Sequence, residues 1–128
     1  MTKPMELQFD EPHLAAAVER LPPEAVDTLA FGAIRLGPDG IVGFYSQAEG
    51  VLSGYGPRPS LGKNFFTDIA PCMNAPEFRG RIDTALAAGQ FDLEFGWIGD
   101  FSDRQREVRV RVQPATDGGC WIFLNRGS

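Results

Sequence analysis

The chain has 128 residues, the size of one domain of roughly 100–150. Its 43% hydrophobic and 23% charged residues form an ordinary globular mix, which excludes intrinsic disorder. Acidic residues outnumber basic ones 17 to 12, and the net charge of −5 is spread over both halves, so the electrostatic footprint of a nucleic-acid binder is absent.

No apolar run approaches the roughly 18 residues of a membrane span, and Met1–Asp10 lacks the apolar core of a signal peptide. The expectation is a soluble, cytoplasmic protein. Cys72, Cys120 and the single histidine, His13, supply neither a CxxC nor a His pair, so an intrachain zinc site is not expected. A cytoplasmic setting favours free thiols over a Cys72–Cys120 disulfide.

In chain order, His13–Arg20 and Glu24–Leu29 read as two short helices, separated by the breakers Pro22 and Pro23. The apolar runs Ala30–Leu36 and Ile41–Tyr45 flank Gly37-Pro38-Asp39-Gly40, a hairpin signal with explicit turn chemistry. Gln47–Phe66 contains Gly50, Gly54, Gly56, Pro57, Pro59 and Gly62, so it reads as turns and helical fragments. Pro76–Ala88 is the best helix, with Pro76 in the first turn, Gly89 at the stop and Phe78, Ile82, Ala85 and Leu86 on one face.

Three strands follow. Phe91, Leu93, Phe95 and Trp97 alternate with polar residues or glycine, and Glu107–Val112 alternates as cleanly, with the valines inward and the arginines outward. Asp117-Gly118-Gly119 turns the chain into Cys120–Leu124. The order predicts an α+β fold: an antiparallel sheet of about five strands flanked by short helices.

Taken singly, the candidate functional residues have ordinary readings. Arg109 and Arg111 fit a solvated strand face with Asp92 and Glu94 as opposite-charge neighbours. His13 reads as a surface residue, and no glycine pattern matches a phosphate-binding loop. A lone cysteine such as Cys72 is ordinarily a small buried hydrophobe, and a thiol hydrolase would have only His13 as its base. Cys120 beside Trp121 and Tyr45 at a strand end read as packing, and Glu49 as a surface carboxylate.

Together, several segments resemble the photoactive yellow protein family, a blue-light receptor branch of the PAS fold. They are Leu29–Ile34, Tyr45 with Ala48-Glu49-Gly50, Gly62–Phe66, Ile69-Ala70-Pro71-Cys72 followed by Pro76-Glu77-Phe78, and the closing Cys120–Phe123. The blocks run in order from about Leu29 to Arg126. The resemblance implies a PAS-like photosensory core over 29–128 and, since residues 1–28 match only in helical character, an N-terminal helical cap.

It also implies p-coumaric acid (4-hydroxycinnamic acid) bound covalently to Cys72 as a thioester. Tyr45 and Glu49 would hydrogen-bond its phenolate, Ser53 would support Tyr45, and Phe65, Pro71, Tyr55 and Gly99 would complete the surroundings. A carboxyl donates a hydrogen bond only while protonated, so Glu49 is expected to be neutral in the dark. Trans–cis photoisomerisation would be followed by proton transfer from Glu49 and partial opening of the fold as the signalling state. The downstream signalling protein is not named by any segment.

Departures from the family pattern are specific. Ser53 stands where threonine is usual, Ser46 where asparagine is usual, Tyr55 where an arginine covers the chromophore, and Gly99 where an aromatic packs. The other readings are a PAS-like ligand- or protein-binding module without light sensing and, further off, a cysteine-dependent enzyme.

Overall fold

The computed structural model describes residues 7–56, 59–99 and 105–126. Residues 1–6 of the expected cap lie outside them. Five antiparallel strands form one sheet: β1 (Gly32–Leu36), β2 (Val42–Tyr45), β3 (Leu93–Ile98), β4 (Glu107–Pro114) and β5 (Cys120–Asn125), in the order β2-β1-β5-β4-β3. The β1–β2 turn closes as its residues require. Gly40 takes φ 84°, its amide bonds the Gly37 carbonyl at 3.0 Å, and Asp39 Oδ1 accepts from the Ile41 amide at 3.2 Å.

The sheet is covered on both faces, so its central strand is apolar on both. On β5, Cys120, Ile122 and Leu124 face one cluster while Trp121 and Phe123 face another. The inner cluster joins Ile34, Leu36 and the valines of β4 to Phe65, Phe66, Ile69, Phe78 and Ile82. These last residues belong to the β2–β3 crossover, which runs through α3 (Gln47–Ser53), a wide π turn (Phe65–Ile69), a 3-10 turn (Pro71–Met73), a second π turn (Pro76–Gly80) and α4 (Arg81–Ala88). The expected helix over Pro76–Ala88 is thus helical throughout, but its first turn is widened.

The outer cluster belongs to the N-terminal segment. Leu14, Ala15 and Val18 of α1 (Leu14–Glu19), with Val26 of α2 (Pro23–Val26), pack on Phe31, Ala33, Trp121 and Phe123. This packing corrects the expected outward arginines of β4. Arg109 is exposed and pairs with Glu94, but Arg111 is only 4% exposed. Its guanidinium pairs with Asp92 at 2.9 Å and donates to the carbonyls of Phe9 (2.8 Å), Glu11 (2.6 Å) and Pro12 (3.1 Å). Strand alternation puts Arg111 on the side away from the valines, but that side is roofed by the N-terminal segment instead of water.

Among the described residues no helix is long and apolar enough to cross a membrane. Both cysteines are free: Cys120 is buried as expected, while Cys72 is exposed, against the ordinary reading of a lone cysteine.

Candidate functional site

Between the crossover and the inner face lies a cavity of about 430 Å³, within the range of small-molecule sites. Its polar wall is Tyr45, Glu49, Cys72 and Arg126, and its apolar wall includes Phe65, Ile69, Met73 and Trp97. Pro71 and Gly99 also line it.

Cys72 reaches the cavity because the chain is bent sharply there. Asn64 Oδ1 accepts from the amides of Phe66 (3.0 Å) and Thr67 (3.2 Å), opening the π turn, and the Ala70 amide closes it on the Phe65 carbonyl at 2.7 Å. Pro71 then starts the 3-10 turn that carries Cys72.

Glu49 is set by α3. Ser46 caps that helix, its Oγ accepting from the Glu49 amide at 3.1 Å and from the Ala33 amide of β1 at 3.1 Å. The second bond docks the helix on the sheet and turns Glu49 inward. Asp27, just past α2, supplies two further acceptors: its Oδ1 takes the Gln47 amide at 2.9 Å and its carbonyl the Ala48 amide at 3.2 Å. Room for the carboxylate comes from Gly32, where a Cβ would lie 1.8 Å from Glu49 Oε1.

Glu49 is therefore 3% exposed, against the local reading of a surface carboxylate. Arg126, at the end of β5, donates to both of its oxygens at 2.7 Å, the bidentate fork of an ionised pair. The sequence alone leaves an ionised Glu49 without a cation; the fold supplies one from 77 residues away.

Tyr45 ends β2 beside this pair. Burial, and then the Glu49 charge, push its hydroxyl well above the ordinary tyrosine range, while a hydrogen bond with Ser53 and the charge of Arg126 pull the other way. It stays an O–H donor at any physiological pH. Ser53 also accepts from the Tyr55 amide at 3.1 Å. Tyr55 stacks obliquely on Tyr45, ring centres 5.5 Å apart, and its hydroxyl donates to the Pro59 carbonyl at 2.7 Å. Ser53 and Tyr55 thus stand behind Tyr45, not on the cavity wall.

Gly99 lines the cavity with φ 126°, a conformation that side chains resist. Its lack of an aromatic ring is matched to its backbone. The sequence reading missed Arg126 and the indole of Trp97, whose ring packs 5.1 Å from Phe78 and whose Nε1 is buried without a hydrogen-bond partner among the described residues.

The arrangement combines an accessible thiol, a partly buried phenol, a buried carboxylate, a buried cation and an apolar wall. The same fold recurs in the PAS domain of a protein from Colwellia psychrerythraea, with a TM-score of 0.61 at 12% identity over 88% of this chain and 97% of that one. That likeness defines the class, a PAS-fold domain. No family model matches the chain.

Two nearer relatives go further. The photoactive yellow protein of Rhodothalassium salexigens is 36% identical over 121 residues, 94% of this chain and 97% of that protein. The photoactive yellow protein domain of the sensor histidine kinase Ppr from Rhodospirillum centenum superposes with a TM-score of 0.74 at 32% identity, over 85% of this chain and 96% of the domain. The chain belongs to the photoactive yellow protein family and is a PAS-fold photoreceptor.

Proposed function

We propose that this photoreceptor responds to blue light through p-coumaric acid held as a thioester on Cys72. The observation that carries the reading is a single cavity lined at once by the exposed Cys72 and by Tyr45 and Glu49. An aromatic acyl group fits this site: the volume is adequate, the wall of Phe65, Ile69 and Met73 is apolar, and polar groups are few. When bound, the group would supply visible absorption and a double bond able to isomerise.

The other tasks fall to the chain. Cys72 Sγ takes the acyl group from an activated donor as the donor's leaving group departs with the thiol proton. Phe65, Ile69 and Met73 exclude water, and Pro71 fixes the turn that aims the sulfur. Tyr45 donates its O–H to the ring oxygen, with Ser53 and Tyr55 holding the tyrosine in place. Glu49 offers a second O–H when protonated. Gly99 keeps the rim low on the β3 side.

Release of the Glu49 proton after illumination leaves a carboxylate that closes on Arg126, as in this structure. Helix α3 and the end of β5 then readjust. Because Asp27 caps α3 just before Glu49, the readjustment reaches the N-terminal segment. We take residues 1–28 as a cap that loosens and 29–128 as the photosensory core, with a downstream protein reading the opened state.

Treatment of the purified protein with a thioester-activated p-coumarate should give one adduct on the Cys72 peptide by mass spectrometry, and a yellow protein that bleaches reversibly in blue light. Burial pushes the Cys120 thiol up to about 12, so Cys120→Ser should label normally and Cys72→Ser should not label. Labelling that survives Cys72→Ser and disappears in Cys120→Ser sinks the reading.

A further inference from the structure

The Glu49–Arg126 pair is nearly sealed from water, with side chains 4% and 5% exposed. Placing two charges there is costly unless each is compensated, and either one alone would be worse. Yet the pair also lines the cavity, where packing alone does not require it. Among the described residues lining that cavity, Arg126 is the sole cation. Position 55, where the family resemblance leads one to expect an arginine, holds a neutral tyrosine whose hydroxyl is taken by the Pro59 carbonyl.

The charge balance then has two states. Without a bound anion, Arg126 is neutralised by an ionised Glu49. If an ionised ring oxygen enters, retaining the Glu49 charge would leave one net negative charge in a dry site. Protonating Glu49 restores neutrality, with Arg126 balancing the newcomer. We propose that Arg126 is the exchangeable counterion of the site, balancing Glu49 in the free chain and a bound phenolate in the loaded one. The inference rests on the p-coumarate reading above, and it extends that reading by assigning the cation that keeps the phenolate ionised.

The field of Arg126 already reaches the neighbouring phenol, since it pulls the Tyr45 hydroxyl toward ionisation. Among the described residues, the other titratable or charged groups around the pair include Tyr45 on β2, Tyr55 after α3, Cys72 in the crossover and, from β4 across an adjoining groove, Glu107 and Arg109. Arg106 sits on the α3 side, donating to the Leu52 carbonyl at 2.9 Å. None of them meets Glu49 in the bidentate geometry that Arg126 does.

The test compares the wild type, Arg126→Lys, Arg126→Gln and Arg126→Gln/Glu49→Gln after treatment with thioester-activated p-coumarate. Mass spectrometry counts the Cys72 adduct, and a dark pH titration finds the midpoint at which the visible phenolate band gives way to the ultraviolet band of the phenol. A nearby cation lowers a phenol's pKa, so its loss should raise the midpoint in Arg126→Gln by about one pH unit, tenfold in proton affinity, or more. Arg126→Lys should recover much of the shift.

A purely structural arginine would change stability and leave the midpoint alone. In the ligand-free proteins, the double variant should melt above Arg126→Gln, because it leaves no unpaired charge. If Arg126→Gln fails to fold, the double variant carries the same titration, and its midpoint should also rise. A normal adduct with an unmoved midpoint overturns the inference alone. Absence of any wild-type adduct overturns the p-coumarate reading and the inference together.

Discussion

Arg111 lies on β4 and Arg126 just past the end of the neighbouring β5, and both side chains are 5% exposed. Arg111 points to the outer face. Its Nε and Nη2 bond the two oxygens of Asp92, and its remaining donors reach the carbonyls of Phe9, Glu11 and Pro12. All five N–H donors of that guanidinium are used within the protein. Arg126 points to the inner face, where its partner is a buried carboxylate on the wall of a cavity. Equal burial therefore does not mean equal function. A guanidinium enclosed by backbone acceptors fastens one segment to another, and one paired at a cavity wall can change partners when something binds.

The strongest way to break this comparison is Arg111→Gln. A glutamine cannot span Asp92 and three carbonyls, so several charge-assisted bonds vanish together. We expect a loss of about 3 kcal/mol in denaturant unfolding, the scale for bonds to a charged group. Because Asp92 is half exposed and can rehydrate, the larger part of this cost comes from the stranded carbonyls. The inner site should be spared, with the Cys72 thiol modified at the wild-type rate. A loss below about 0.5 kcal/mol, the usual size of surface substitutions, would show that the clamp is not structural.

The inner face is probed by Gly32→Ala. The added methyl would lie 1.8 Å from Glu49 Oε1 and 3.0 Å from Glu49 Cβ, so rotation of the carboxylate alone does not clear it. Overpacking of this kind costs about 2 kcal/mol, and the Glu49–Arg126 pair should open. Denaturant unfolding measures the first effect. A crystal or solution structure of the variant, with the two side chains parted, checks the second. A variant of wild-type stability with the pair intact would mean that β1 shifts more freely than its ladder with β5 suggests.

These two arginines also mark where the sequence could be read and where it could not. Alternation located β3 and β4 and offered Asp92 and Glu94 together as opposite-charge neighbours of Arg109 and Arg111; the ladder sets Glu94 directly opposite Arg111, and the ion pairs form on the diagonal, Arg109 with Glu94 and Arg111 with Asp92. It assigned Arg111 to water because a period of two tells which face a residue takes, not what covers that face. The cover comes from carbonyls 99 to 102 positions away. Arg126 carried no signal at all, being one charge after the last strand, and its partner lies 77 positions earlier, in a helix that docks on β1. Glu49 looked exposed for a similar reason: its burial depends on the Ser46 cap and on the space left by Gly32, both of which become visible only when α3 is docked on β1. Only the family resemblance pointed to Tyr45, Glu49 and Cys72 together.

The smallest expected effect is an acid response confined to the outer face. The Arg111 guanidinium, chiefly by its hydrogen bond, holds the Asp92 carboxyl below its ordinary value of 3.8; burial opposes it, and the Arg111 charge adds a further lowering. A carboxyl depressed in the folded state adds stability that is fully present above its unfolded value and is lost as pH falls through its folded one. From pH 5 to pH 8 the clamp should thus be insensitive to pH, and it should weaken below about 3.8. Since Asp92 is half exposed, water screens the pair and the change should be local and modest. Helices as short as α1 and α2 depend on docking for their order, so the N-terminal segment should register the change before the sheet does. Amide exchange, corrected for its intrinsic pH dependence, should accelerate in residues 7–20 as pH falls toward 3 while β4 and β5 remain protected. Asp92→Asn should flatten that profile, because an amide has no proton to gain. Simultaneous loss of protection across both faces, or an acid response that persists in Asp92→Asn, would place the acid-sensitive contact elsewhere and leave Arg111 held by the three carbonyls alone.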